Sequence, residues 1–195
     1  MKKNELKPGT LLAPLPVALV SCGTMEKPNM ITVGWTGICN STPPMTYVSV
    51  TPQRFSPDLI ADNGCFVINL VSRDITDATD WCGVKSGRDY DKFAETGLTA
   101  VASGKLGCPM VAESPLSLEC KVVQTLHLGS HDMFLAEIVG VYAAEELLDE
   151  NGRLMLDKAN LTAYCHGEYI SLGEKVGKFG YTVMKEKTKQ RKGIL

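Results

Sequence analysis

No stretch of this 195-residue chain approaches the ~20 apolar residues that span a bilayer. The longest candidate, residues 11–22, is interrupted by Pro14 and Pro16. Lys2 and Lys3 ahead of it and Cys22 at its end give it a superficial likeness to a lipoprotein leader. Glu5 sits in the would-be basic region, however, so the expectation is a first strand reached through a Pro-rich loop, with no membrane partner. A positive surplus is also missing. Against 20 Lys and Arg stand 22 Asp and Glu, a net charge of −2, which offers no basic excess for neutralising nucleic-acid phosphates. The one dense basic run, Lys185 to Lys192, reads as part of a frayed, solvated tail over 185–195.

Several signatures are absent. There is no C-x-x-C, and the cysteines (Cys22, Cys39, Cys65, Cys82, Cys108, Cys120 and Cys165) are odd in number, against both a disulfide framework and a zinc ribbon. Most are expected to be small core residues in a reducing cytoplasm. No H-E-x-x-H or carboxylate cluster suggests a metal, and no G-x-S-x-G suggests an esterase. No G-x-G-x-x-G follows a strand, so a dinucleotide-binding Rossmann domain is not expected.

What the chain has is 44% hydrophobic residues, enough for one substantial core in a single domain over 1–195. Val17 to Thr24 reads as a strand, Met25 to Asn29 as a turn, and Met30 to Thr36 as the returning strand of a hairpin. In that second strand Met30, Thr32, Gly34 and Thr36 share one face, and Ile31, Val33 and Trp35 the other. Ile38 to Pro44 reads as a loop and Met45 to Thr51 as a strand. Ser56 is expected to cap a short helix, with Pro57 at its first position, Asp58 in its first turn and Asn63-Gly64 at its end. Cys65 to Val71 alternates as a strand, and Asp74 to Gly83 reads as a helix capped by Asp74. Further on, Leu116, Leu118, Cys120, Val122, Gln124 and Leu126 alternate with Ser117, Glu119, Lys121 and Val123, and Met133 to Tyr142 follows as a partner strand. Hairpins with few helices and no regular βαβ alternation predict an antiparallel barrel.

The segment from Ser49 to Pro57 holds the most chemistry. It delivers Ser49, Thr51, Arg54 and Ser56 to the start of a helix, where backbone N–H groups are free. Together these fit a phosphomonoester dianion, and equally a capped helix beside an exposed arginine. Ser86, Arg88 and Lys92 offer further donors, although alone they read as a solvated loop. His131 opens a barrel strand, where ligands tend to be held. His127 and His166 have no ligand-type neighbours in sequence, and Trp35 is by residue type a core side chain.

The order of these motifs resembles the flavin reductase-like family. Thr32-Val33-Gly34-Trp35 is followed by Pro43-Pro44, by Arg54-Phe55-Ser56 and by Phe66-Val67-Ile68-Asn69-Leu70. Ser86-Gly87-Arg88 with Asp91-Lys92-Phe93 adds to the likeness. Gly129-Ser130-His131-Asp132-Met133-Phe134 is similar to the family's Gly-Asp-His-x-x-Phe, with serine for the first acid. The likeness runs from about Pro16 to Tyr169, is nearest to the flavoredoxin-type branch, and puts the barrel core at 16–173.

The resemblance implies a mainly β domain with a few helices, an antiparallel Greek-key split β-barrel that binds FMN rather than FAD as a homodimer with flavin near the subunit interface. Carried over residue by residue, Thr32, Val33, Gly34 and Trp35 line the isoalloxazine ring, largely through backbone groups. Ser49, Val50 and Thr51 follow the ribityl chain, and Arg54 and Ser56 take the phosphate. Ser86, Arg88 and Lys92 assist, and His131 lies near the flavin as the candidate catalytic residue. The expected activity is electron or hydride transfer from NAD(P)H or a protein donor to free flavin or another acceptor. The alternatives are a non-catalytic flavin-binding or electron-carrier protein, or a barrel for another phosphorylated ligand such as pyridoxal phosphate.

Overall fold

The computed structural model describes residues 1–184, so the basic run Lys185 to Lys192 lies outside the described residues. The chain opens with a two-residue strand β1 (Leu15–Pro16), then β2 (Ala18–Gly23), β3 (Pro28–Val33), β4 (Thr36–Ser41) and β5 (Pro44–Val50). Helix α1 (Ser56–Asn63) leads into β6 (Cys65–Leu70). Helices α2 (Thr76–Val84) and α3 (Lys92–Thr96) follow, then the short β7 (Ala100–Ala102) and β8 (Pro109–Val111). The long strands β9 (Leu116–His127) and β10 (Asp132–Ala143) form a hairpin, and β11 (Thr162–Cys165) and β12 (Glu168–Ser171) complete the set.

Seven strands form one antiparallel sheet in the order β3-β2-β6-β9-β10-β5-β4. Its two edge strands, β3 and β4, are consecutive in the chain and joined by Gly34 and Trp35 alone. The sheet therefore curls back on itself, bringing β3 against β5 while β3 and β4 stay unpaired, giving an antiparallel barrel that is split at this seam. The Ser49 N–H donates to the Trp35 carbonyl at 2.9 Å and ties the seam to β5. Two smaller sheets flank it, β1-β11-β12 and β7-β8.

Alternation explains the core. Val20, Ile31, Val33, Val48, Val50, Phe66, Ile68, Cys120 and Phe134 point into the barrel and pack together. The opposite face is buried as well. Leu19, Met30 and Val71 pack there against Ile75, Cys82, Phe93 and Val111 from the helices and β8.

Four local expectations are corrected. Residues 38–44 are not a loop: β4 pairs with β5 from Thr36↔Val48 to Ser41↔Pro44, leaving only Thr42 and Pro43 to turn the chain. The strand expected over Met30 to Thr36 stops at Val33, because the chain must cross the seam at Gly34. Asp74 does not cap α2; it lies in a 3-10 turn, Arg73–Ile75, that precedes the helix. Ser56 is the first residue of α1 rather than its cap, which is Phe55. The helix does end at Gly64, whose φ of 64° is left-handed and suits glycine.

Candidate functional site

Three segments meet at the start of β3, and Asn29 holds them. Its Nδ2 donates to the Ser56 hydroxyl at 2.9 Å, fixing the first turn of α1 against the sheet. That contact explains why Ser56 is buried instead of capping. The loop after α2 closes from the other side. A Cβ at Gly87 would lie 2.0 Å from Asn29 Oδ1 and 3.0 Å from Phe55 Cδ1, so only glycine permits this approach. Arg88 then braces the loop, donating to the Gln53 carbonyl at 2.9 Å and lying 3.4 Å from the Asp58 carboxylate. Its guanidinium also sits 5.4 Å from the centre of the Phe55 ring.

Lys92 is the most informative residue here. It is only 3% exposed, and its ammonium donates to the Cys82 carbonyl at 2.7 Å. Among the described residues no carboxylate forms an ion pair with it. Burial holds Lys92 below the ordinary lysine pKa, and the nearby Arg54 charge pushes the same way. Arg54 itself is exposed. An ammonium and a guanidinium thus share one corner, beside a helix start with no side-chain cap. This donor set fits a phosphomonoester: two positive groups, first-turn N–H groups and the hydroxyl of Ser86.

The remaining expected residues divide clearly. Val33 and Val50 point into the barrel core, so only their backbone is offered to a ligand. The Thr32 hydroxyl donates to the Thr79 carbonyl on α2. Gly34 and Trp35 separate two cavities. A cavity of about 320 Å3 lies on the α2 side, bounded by Thr32, Asp80, Gly83 and Tyr169. A larger one of about 640 Å3 lies on the other side, bounded by Tyr47, Ser49, His131 and Met133.

Trp35 is not a core side chain: it is 38% exposed and stacks on His131, with ring centroids 4.4 Å apart and planes 29° from parallel. Crossing the seam carries its side chain out of the barrel interior. The Ser130 hydroxyl lies 3.0 Å from His131 Nδ1, where the family pattern has an acid. Asp132 instead pairs with His127 at 2.6 Å across the hairpin, a partner that sequence neighbours do not reveal.

Asn29 and the stacked face of Trp35 escape a reading of the sequence. Asn29 follows Pro28 and looks like turn chemistry, while its partner Ser56 lies 27 residues away. Thr51 and Ser49 remain half-buried beside the seam, with Thr51 closing a turn by accepting from the Arg54 N–H at 3.1 Å.

The family model for the flavin reductase like domain matches residues 11–173. The solved structure of flavoredoxin from Desulfovibrio vulgaris superposes with a TM-score of 0.87 at 31% identity, covering 94% of this chain and all (100%) of that one. An uncharacterised protein of Aeropyrum pernix is 32% identical over 113 residues, 57% of this chain, and the chain spans only 43% of that relative's length. The FMN reductase (NADH) RutF of Pseudomonas syringae is 29% identical over 112 residues, 54% of this chain and 58% of its own. The chain belongs to the flavin reductase-like family, within its flavoredoxin branch.

Proposed function

We propose that this protein is an FMN-binding oxidoreductase whose phosphate cradle is the corner formed by Arg54, Lys92, Ser86 and the first turn of α1. The observation that carries the reading is the buried Lys92 ammonium beside Arg54, with one carbonyl acceptor and no carboxylate partner among the described residues. A buried cation beside a second, exposed one is stabilised by a bound dianion. Family membership supports a flavin-binding oxidoreductase as the general class.

In this reading the backbone of Thr32 to Trp35 lies along the ring, with Ser49, Val50 and Thr51 following the ribityl chain. When bound, the flavin supplies electron and hydride acceptance, and the protein supplies position and charge. Arg54 and Lys92 neutralise the phosphate. Asn29 and Gly87 fix the distance between the two loops that carry those charges. The Trp35–His131 stack walls the larger cavity, against which a nicotinamide or another donor would pack, with His131 as the side chain nearest that donor. No acid–base pair is required of the chain.

The donor is proposed to be NAD(P)H, the name of the RutF relative pointing to NADH, with free flavin or another acceptor receiving the electrons. The flavoredoxin likeness favours a second reading, an electron carrier reduced by a protein donor. We extend the reading to a homodimer, for which the exposed Ile38 and Leu128 supply apolar surface.

Titration with FMN and with riboflavin tests the cradle. FMN is expected to bind much more tightly than riboflavin, and equal affinities would overturn the phosphate assignment. Sustained NADH or NADPH oxidation by the FMN-loaded protein identifies a reductase. Reduction by dithionite without nucleotide turnover identifies the carrier.

A further inference from the structure

Two thiols share a third cavity, which has no lining residue in common with the two that flank Trp35. Cys65 opens β6 directly after the α1 cap, and Cys108 immediately precedes β8. Both belong to one small cluster with Val67 on the outer face of the sheet. Both also line a cavity of about 260 Å3, walled by Gly23 and Gly107 and rimmed by Glu26 and Asn63. Cys65 is 8% exposed and Cys108 is 2% exposed. None of this belongs to the proposed phosphate corner.

We infer that Cys65 and Cys108 form a dithiol site that a small cationic disulfide, drawn by Glu26, oxidises to an intramolecular Cys65–Cys108 disulfide.

The chemistry has a defined direction. Of the five buried thiols, Cys22 and Cys82 are pushed up to about 11 and Cys120 to about 12, in each case chiefly by burial. Cys108 is also raised, first by its thiol contact with Cys65 and then by burial. Cys65 alone moves down, first through its side-chain contact with Cys108, although burial and the charge of Glu119 oppose this. Cys65 is also the more exposed of the pair, at 8% against 2%, so an incoming disulfide meets it first: Cys65 is the attacking thiolate and Cys108 the resolving thiol.

In the first step the Cys65 thiolate attacks one sulfur of the small disulfide. A protein–small-molecule disulfide forms and one small thiolate departs. The Cys108 thiol then loses its proton to solvent and attacks Cys65 Sγ. The Cys65–Cys108 bond forms and the second small thiolate leaves. Two protein thiols are oxidised and one external disulfide is reduced to two thiols, so electrons balance without the flavin.

The test uses the full chain, reduced, freed of reductant and exposed to excess cystamine. The reaction is quenched in acid, and free thiols are alkylated before peptide mass mapping. The expected product is a Cys65–Cys108 linked peptide that dithiothreitol restores to two free thiols. Cys108→Ala is expected to stop at a cysteamine adduct on Cys65, and Cys65→Ala to carry none on Cys108. Recovery of both cysteines of the unaltered chain as alkylated thiols would overturn the proposal, as would linkage of either to another cysteine. The unaltered chain alone decides the matter if a variant does not fold.

Discussion

The Arg88 guanidinium donates to the Gln53 carbonyl at 2.9 Å, joining loops 35 residues apart in sequence. Arg88 therefore acts as a brace between the two halves of the proposed phosphate corner, and much of its donor capacity is engaged by the protein itself. Replacing it with Met keeps some bulk but removes the brace. FMN affinity is expected to fall by about 0.5–1.5 kcal/mol, the net worth of an ordinary hydrogen bond. Fluorescence titration measures this, and a loss as large as that for Lys92 would make Arg88 a direct phosphate ligand.

Lys92→Met separates binding from stability. FMN affinity should drop by about 1.5–3 kcal/mol, the range for a hydrogen bond to a charged group, with riboflavin affinity unchanged. The flavin-free protein should become more stable. A lysine whose folded pKa is lowered binds its proton more weakly in the folded state, so removing the buried charge relieves the fold. A rise in Tm together with weaker FMN binding is the expected signature. Arg54→Ala should weaken FMN by a similar ~1.5–3 kcal/mol, with little change in Tm because the side chain is exposed.

Gly87→Ala adds a methyl where Asn29 and Phe55 already stand. Asn29 has little room to yield, because its amide is bound to Ser56. The loop is expected to lift, reducing FMN affinity at least as much as Arg88→Met does. Hydrogen exchange over residues 85–91 should speed up in the variant while the barrel strands stay protected.

Glu119 governs acid stability. It is fully buried (0% exposed) and accepts from four donors: Ser103, Tyr142 and the backbone N–H groups of Lys105 and Leu106. Burial alone would raise its pKa, but these hydrogen bonds outweigh burial and hold it below the ordinary 4.5. The unfolded chain therefore takes up this proton more readily than the folded one. The resulting stability is complete above pH 4.5 and is lost as pH falls through the lower folded value. Glu119→Gln should cost about 1–3 kcal/mol near neutrality and flatten the acid limb of a Tm–pH curve.

Much of this molecule is legible from alternation. Strands β5 and β9 carry a clear period of two, β2 and β6 read as short apolar runs buried on both faces, and Gly64 marks a helix end by itself. Strand β4 was hidden because Ile38 to Ser41 is exposed apart from its pairing with β5 and so carries no burial pattern. Glu119 falls on the face that alternation assigns to solvent. The 103–107 loop covers it, a packing partner that no local pattern announces. At the proposed site Arg54 and Lys92 stand out as residue types, but the burial of Lys92 depends on where α2 lies, and Asn29 depends on a contact 27 residues away.

The seam at Gly34 and Trp35 has a topological consequence. The rim strands of the large sheet are successive along the chain, so a two-residue covalent staple, rather than a ladder of amide pairs, links the open edges of the cylinder. A circular permutant with its new ends at Gly34 would retain the ladders between neighbouring strands yet free the two rims to drift apart. The loosening would centre on the wall shared by the two cavities.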